Sequence, residues 1–114
     1  MNNEHIISKL LTLFFSGVYI SSKDLLDIAQ ALDIQIPAKS RELLLKNIFA
    51  KASEDGKISQ LYDLLIALLQ QRVYEYKSLT INYPHIQIVS HNWINKAGAL
   101  IRLLQQQKRG SIYE

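Results

Sequence analysis

Sixteen residues, Leu61–Tyr76, constrain this chain more than any others: Leu-Tyr-Asp-Leu-Leu-Ile-Ala-Leu-Leu-Gln-Gln-Arg-Val-Tyr-Glu-Tyr. The first half is apolar on almost every side. The second half narrows to a stripe made by Leu68, Leu69, Arg72, Val73 and Tyr76. A helix apolar all round has to be covered by other elements, whereas a striped one can lie at a surface. The stretch therefore predicts a central helix whose N-terminal half sits deepest. The rest of the chain must supply its cover.

The flanking sequence supplies that cover as further helices. Ile7, Leu10, Leu11, Phe14 and Val18 follow the three-and-four spacing of one buried face, which predicts a first helix over about Glu4–Tyr19. Asn2 or Asn3 can cap its start, and Gly17 lies one turn from its end. Ser21-Ser22-Lys23-Asp24 fits a capping box, with Asp24 in the place where Glu is more usual. Leu25, Ile28, Ala29 and Leu32 then form the stripe of a second helix that stops at Asp33. Ile34-Gln35-Ile36 reads as an extended linker that pins two isoleucines on the core, because Pro37 biases Ile36 away from helical angles. A third helix begins at Pro37 or at Ser40, both good starts. It buries Leu44, Leu45, Ile48, Phe49 and Ala52, and Gly56 suits its left-handed cap.

The central helix starts near Lys57 or Ser59 and reaches Lys77 or Ser78. Leu79–Val89 reads as an irregular loop, with a small hairpin around Pro84-His85 as the alternative. Ser90 is a candidate cap for a fifth helix bearing Trp93, Ala97, Leu100 and Leu104 on one face. Gly98 and Ala99 leave a thin patch on it. Lys108 and Arg109 suit its C-terminal end, and Gly110 can stop it. The expectation is one all-α domain over residues 1–114, a compact bundle of about five helices with a flexible tail from about Gly110.

Composition removes several function classes. The chain has no Cys, which excludes disulfides, thiol catalysis and Cys-based zinc sites. It is compatible with a reducing compartment, so a cytoplasmic protein is expected. The opening Met-Asn-Asn-Glu-His lacks the positive region of a signal peptide, and no apolar run approaches the ~20 residues of a membrane span. No membrane partner is expected. A net charge of +3 is too weak to imply nucleic acid alone.

Chemistry is equally sparse. His5, His85 and His91 fall on separate segments without metal-ligand spacing. Glu54-Asp55-Gly56-Lys57-Ile58-Ser59 has the look of half a calcium loop. With Gly56 in the turn position, however, the first and last ligand positions are Lys51 and Tyr62, where oxygen donors are needed. That segment is a helix–helix turn. Asp24 and Asp27 are the one carboxylate pair set by helical spacing, and they read as solvated. There is no phosphate loop and no nucleophile elbow. Neither an enzyme nor a cofactor is expected.

What remains is surface. Tyr74 lies off the central stripe, near Arg72, Tyr76 and Lys77, and exposed Tyr and Arg are common interface anchors. Lys39, Arg41, Lys46 and Lys51 form one candidate basic patch; Lys96, Arg102, Lys108 and Arg109 form another. The candidate interaction residues are thus Arg72, Tyr74, Tyr76, Lys77, Arg41 and Lys46. They suit a protein partner or self-association, with nucleic acid as the alternative.

Ser22–Arg72 also resembles the death-like effector-associated domains of bacterial conflict and signalling proteins. The matching features are Leu25-Leu26-Asp27-Ile28-Ala29-Gln30-Ala31-Leu32, then Lys39-Ser40-Arg41-Glu42-Leu43-Leu44, then Gly56-Lys57-Ile58 and Leu61–Leu65. The resemblance covers less than half of the chain and excludes Leu79–Glu114. It implies a non-catalytic adaptor that binds similar domains through helix surfaces. The same helix–extended–helix segment is similar to SAP-like nucleic-acid modules, which implies the alternative partner.

Overall fold

A computed structural model describes the backbone of residues 4–15, 20–36 and 40–113, with side chains over 5–12, 20–36 and 40–108. The chain is all-α. Five helices run in order: α1 (Glu4–Phe15), α2 (Ser22–Ala31), α3 (Arg41–Glu54), α4 (Ile58–Asn82) and α5 (Gln87–Tyr113). One 3₁₀ turn, Pro84–Ile86, joins the last two. The expected caps at Asn2 or Asn3, the turn from Gly17 to Tyr19, and the roles of Pro37 and Lys39 lie outside the described residues.

Local chemistry sets the helix ends. The capping box of α2 forms in full: the Asp24 N–H donates to Ser21 Oγ at 3.1 Å and the Ser21 N–H donates to Asp24 Oδ2 at 2.9 Å. Ser40 caps α3 by accepting the Leu43 N–H, which decides between its two candidate starts. Helices α2 and α3 end alike. After α2, Asp33 is left-handed (φ 57°), Ile34 N–H reaches Ala29 O and Asp33 N–H reaches Gln30 O. After α3, Gly56 is left-handed (φ 69°), Lys57 N–H reaches Ala52 O and Gly56 N–H reaches Ser53 O. Both are Schellman closures. The Lys57 ammonium, at the start of α4, donates to Leu32 O at 2.6 Å, so a cation meets the negative end of α2.

The core is built on the first half of α4, as its all-round apolarity requires. Leu61, Tyr62, Leu65 and Leu69 are fully buried against Leu44, Leu45, Ile48 and Phe49 of α3, Leu25 of α2 and Leu10 of α1. The Tyr62 and Phe49 rings lie 6.3 Å apart, tilted. Ile34 is buried and Ile36 packs on the core, so the linker pins both isoleucines as its sequence implies.

Two expectations fail at the far end of α4. The helix does not stop near Lys77 but runs to Asn82, and Leu79–Val89 is neither an irregular loop nor a hairpin. It is the end of α4, one 3₁₀ turn opened by Pro84, and the first turn of α5. Proline fits there because the first residue of a helical turn has no N–H partner to lose. Ser90 caps nothing. It is buried inside α5, its hydroxyl 3.1 Å from Tyr76 O, where it meets the Thr80 hydroxyl, itself 2.8 Å from the same carbonyl. This small polar lock joins the two helices near their turn. Beyond it α5 stays helical to Tyr113, past Gly110.

Helices α2 and α3 pack on α4 and α1 packs on α3 and α5, whereas among the described elements the 3₁₀ turn touches α4 and α5 alone. The bundle is compact, as its sequence implies, with its longest extent along one axis (45 × 33 × 21 Å). It consists of a head and a projecting helical hairpin.

Two stability results are expected. Leu65→Ala, at a site with no exposure, should lower unfolding free energy by about 2–5 kcal/mol in urea titrations. Asp33→Gly should raise it by about 0.5–1 kcal/mol by relieving a left-handed non-glycine, while Gly56→Ala should lower it by about 1 kcal/mol.

Candidate interaction surface

The six residues singled out from the sequence divide in the structure. Tyr74 and Lys77 are exposed, and their spacing of three places them on one face of α4. Arg72 and Tyr76 turn inward. The Tyr76 side chain is buried and packs on Trp93 of α5, with ring centroids 5.1 Å apart, so it belongs to the seam between the helices.

Arg72, expected as an exposed anchor, is only 15% exposed, and its guanidinium reaches back to the head. Nη2 donates to Asp24 Oδ2 at 2.8 Å, and Nη1 donates to Glu75 at 3.2 Å. Asp24 is accordingly not solvated: one carboxylate closes the capping box of α2 and receives the arginine of α4. Asp27 stays exposed. Partial burial of Asp24 opposes its ionisation. The Ser21 N–H and hydroxyl and the Arg72 guanidinium outweigh that burial and hold its pKa below the usual carboxylate value.

The other two candidates sit on α3. The half-buried Arg41 donates to Ile20 O at 3.1 Å, tying the start of α3 to the segment before α2. Lys46 is exposed and pairs with Glu42 on its own helix, as Lys51 pairs with Glu54. Exposed pairs of this kind contribute about 0–1 kcal/mol. Two of the four residues of the basic patch expected on α3, Lys46 and Lys51, are therefore paired with acids on the same helix.

The sequence reading missed the feature that stands out most. Six of the seven large hydrophobic side chains exposed among the described residues fall within 74–89: Tyr74, Leu79, Ile81, Tyr83, Ile88 and Val89. Ile81 and Ile88 are about 80% open to water (79% and 81%). They flank the turn from α4 into α5. The signal was present as Ile81, Tyr83, Ile86 and Ile88 alternating with polar residues. Alternation in a helix spreads side chains around the axis and does not bury one face, so several must point outward.

Charge is segregated in the same direction. Residues 1–75 carry eight Lys and Arg against nine Asp and Glu, and residues 76–114 carry five against one. That one acid is Glu114, so residues 76–113 contain none. Among the described residues, Lys77, Lys96 and Arg102 have no acidic partner, while Lys108 pairs with Asp63.

His5 lies on α1, His85 in the 3₁₀ turn and His91 on α5. Among the described residues no three His, Asp or Glu side chains gather as metal ligands. Among them too, no helix is long and apolar enough to cross a membrane. No family model, curated protein or solved structure matches the chain.

The Asp24 geometry predicts a pH dependence. A carboxylate whose native pKa is depressed stabilises the fold above its unfolded value of about 3.8 and loses that contribution as pH falls through the native value. Urea midpoints should therefore drop between pH 5 and pH 2, and the drop should be shallower in Asp24→Asn. That variant should also be about 1 kcal/mol less stable than wild type at pH 7, because its capping and ion pair are weakened.

Proposed function

We propose that this chain is a non-catalytic protein-interaction module that binds its partner through the projecting α4–α5 hairpin. The observation that carries this reading is the concentration of exposed apolar side chains at the hairpin end, with Ile81 and Ile88 the most open. A helical hairpin needs an apolar seam, which Tyr76, Trp93, Ala97 and Leu100 already provide. It has no folding use for further apolar side chains in water, and a concentration of them at one end of a molecule is a common mark of a contact site. Tyr74 and Lys77 extend the surface along α4.

The resemblance of Ser22–Arg72 also implies a non-catalytic adaptor, but it does not extend to the hairpin end, where this reading places the contact. That segment makes α2, α3 and the lower part of α4. In this reading the head is the scaffold and the hairpin carries the contact. The chain would serve a bacterial conflict or signalling assembly in the cytoplasm.

One observation favours a second reading, a small nucleic-acid-binding factor: residues 76–113 hold five Lys and Arg and no acid. Such binding would weaken steeply with salt. Exposed isoleucines have no role against phosphate, so the protein partner is preferred.

The experiment compares wild type with the double variant Ile81→Ser/Ile88→Ser. Both positions are solvent-exposed, so stability should change by less than about 0.5 kcal/mol per site. A tagged wild-type chain should co-purify a defined protein at constant ratio, and the variant should recover it at least about tenfold less. Equal recovery by the two chains would overturn the reading, as would salt-sensitive binding to DNA or RNA without a protein partner.

A further inference from the structure

A groove of about 370 Å³ runs between the projecting helices, lined by α4 and α5 alone. Val73, Ile94, Gly98 and Ile101 make its apolar floor, and Gln70 and Arg102 stand at its rim. Its two walls continue toward the hairpin turn with helical spacing. On α4 the row is Gln70, Tyr74, Lys77 and Ile81; on α5 it is Ile88, His91, Asn95, Gly98 and Arg102. The α5 row spans fifteen residues, or roughly 21 Å at 1.5 Å per residue, about four turns of a docked helix.

Gly98 has no reason internal to the fold. A Cβ built there would meet only Arg102 Nη1, at 3.7 Å, an ordinary contact with the end of a flexible side chain. A glycine inside a helix costs about 0.5–1 kcal/mol relative to alanine. Here no neighbouring element uses the close approach that glycine permits, and the bare backbone lies open in the groove floor. Arg102 stands at the groove's rim, and Lys77 lies beyond the groove along the same row of α4. Among the described residues Lys77 and Arg102 have no acidic partner, and the nearest carboxylates on α4, Asp63 and Glu75, are engaged by Lys108 and Arg72.

We propose that this groove receives an acidic amphipathic helix from a partner protein. Its apolar stripe would lie over Val73, Ile94 and Gly98, and its flanking carboxylates would meet Lys77 and Arg102. This is the helix-in-groove mode of recognition. The inference rests on the interaction-module reading and names the partner's chemistry. A second copy in the same pose would bring Lys77 and Arg102 against their own kind. A phosphate backbone would leave the apolar floor and both exposed isoleucines unused.

The test uses three probes on the ¹⁵N-labelled full chain: an about 18-residue Leu/Glu amphipathic peptide, its Leu/Lys counterpart, and duplex DNA. The acidic peptide should shift the Gly98 and Ile94 amides, and the basic peptide should not. Lys77→Glu/Arg102→Glu and Gly98→Leu should each weaken the acidic peptide by at least about tenfold. Gly98→Ala, which adds only the Cβ, reports whether position 98 tolerates substitution in the fold. Absence of any Gly98 shift at millimolar acidic peptide overturns the proposal. So does equal binding by the charge-reversed variant, tighter binding of DNA at the same amides, or a concentration-dependent Gly98 shift of the chain alone. If the peptide fails while Ile81→Ser/Ile88→Ser still loses its protein partner, the groove is wrong and the module reading stands. If neither experiment shows binding, both fall.

Discussion

The length of α4 governs the rest of the structure. It has twenty-five residues against ten in α2 and fourteen in α3. At 1.5 Å per residue it extends roughly 37 Å, while three shorter helices can cover only part of it. Its first half is buried by those helices and by α5. Past Arg72, among the described residues, its buried Tyr76 packs on Trp93 of α5. A two-helix hairpin has one seam, so each helix keeps faces that nothing in the chain covers. The head, the projection and the exposed apolar end all follow from this mismatch.

Arg72 stands where the covered and uncovered parts of α4 meet, and its contacts suit that position. The guanidinium links α4 to the carboxylate that also closes the N-terminus of α2. The pair is partly buried, so breaking one partner leaves a desolvated charge on the other. The same arrangement makes α2 and α4 mutually dependent: the cap needs the carboxylate oriented, and the arginine helps orient it. α2 is thus held to α4 by hydrogen bonds as well as by apolar packing.

Much of this was legible in the residues. The capping box at Ser21, the Gly56 turn and the deep half of α4 depend on local spacing, and local spacing is what a sequence displays; the start of α3 stayed open between Pro37 and Ser40. The Arg72–Asp24 pair spans 48 positions, and nothing in either segment marks the other. Arg72 therefore looked like a surface anchor and Asp24 like a solvated acid. Tyr76 was misjudged for a related reason: its stripe continues from Leu69, and only the presence of α5 shows that this stripe is a buried seam. At the turn, Pro84 and the alternating isoleucines suggested broken structure. Proline at the head of a 3₁₀ turn breaks nothing, and Ser90 resembled a cap only because its buried partners, Thr80 and the Tyr76 carbonyl, lie on another helix.

Whole-chain averages concealed the surface for the same reason. A net charge of +3 and a mean hydropathy near zero describe an unremarkable protein. The averages combine a first two-thirds whose acids and bases nearly balance with a C-terminal third that is cationic and, at its turn, apolar in water. Either property alone has an ordinary explanation: solvated lysines keep a helix in water, and scattered apolar side chains occur on any surface. Their coincidence on the one part of the molecule that the head leaves uncovered is harder to attribute to folding. Solubility would favour charges of both signs and fewer exposed isoleucines there. Stability would favour alanine over glycine at position 98. A surface that departs from both preferences at once is what motivates the proposed partner. The apolar floor, the bare backbone at Gly98 and the cations without acidic partners among the described residues are the features on which the proposed docking of an acidic amphipathic helix rests.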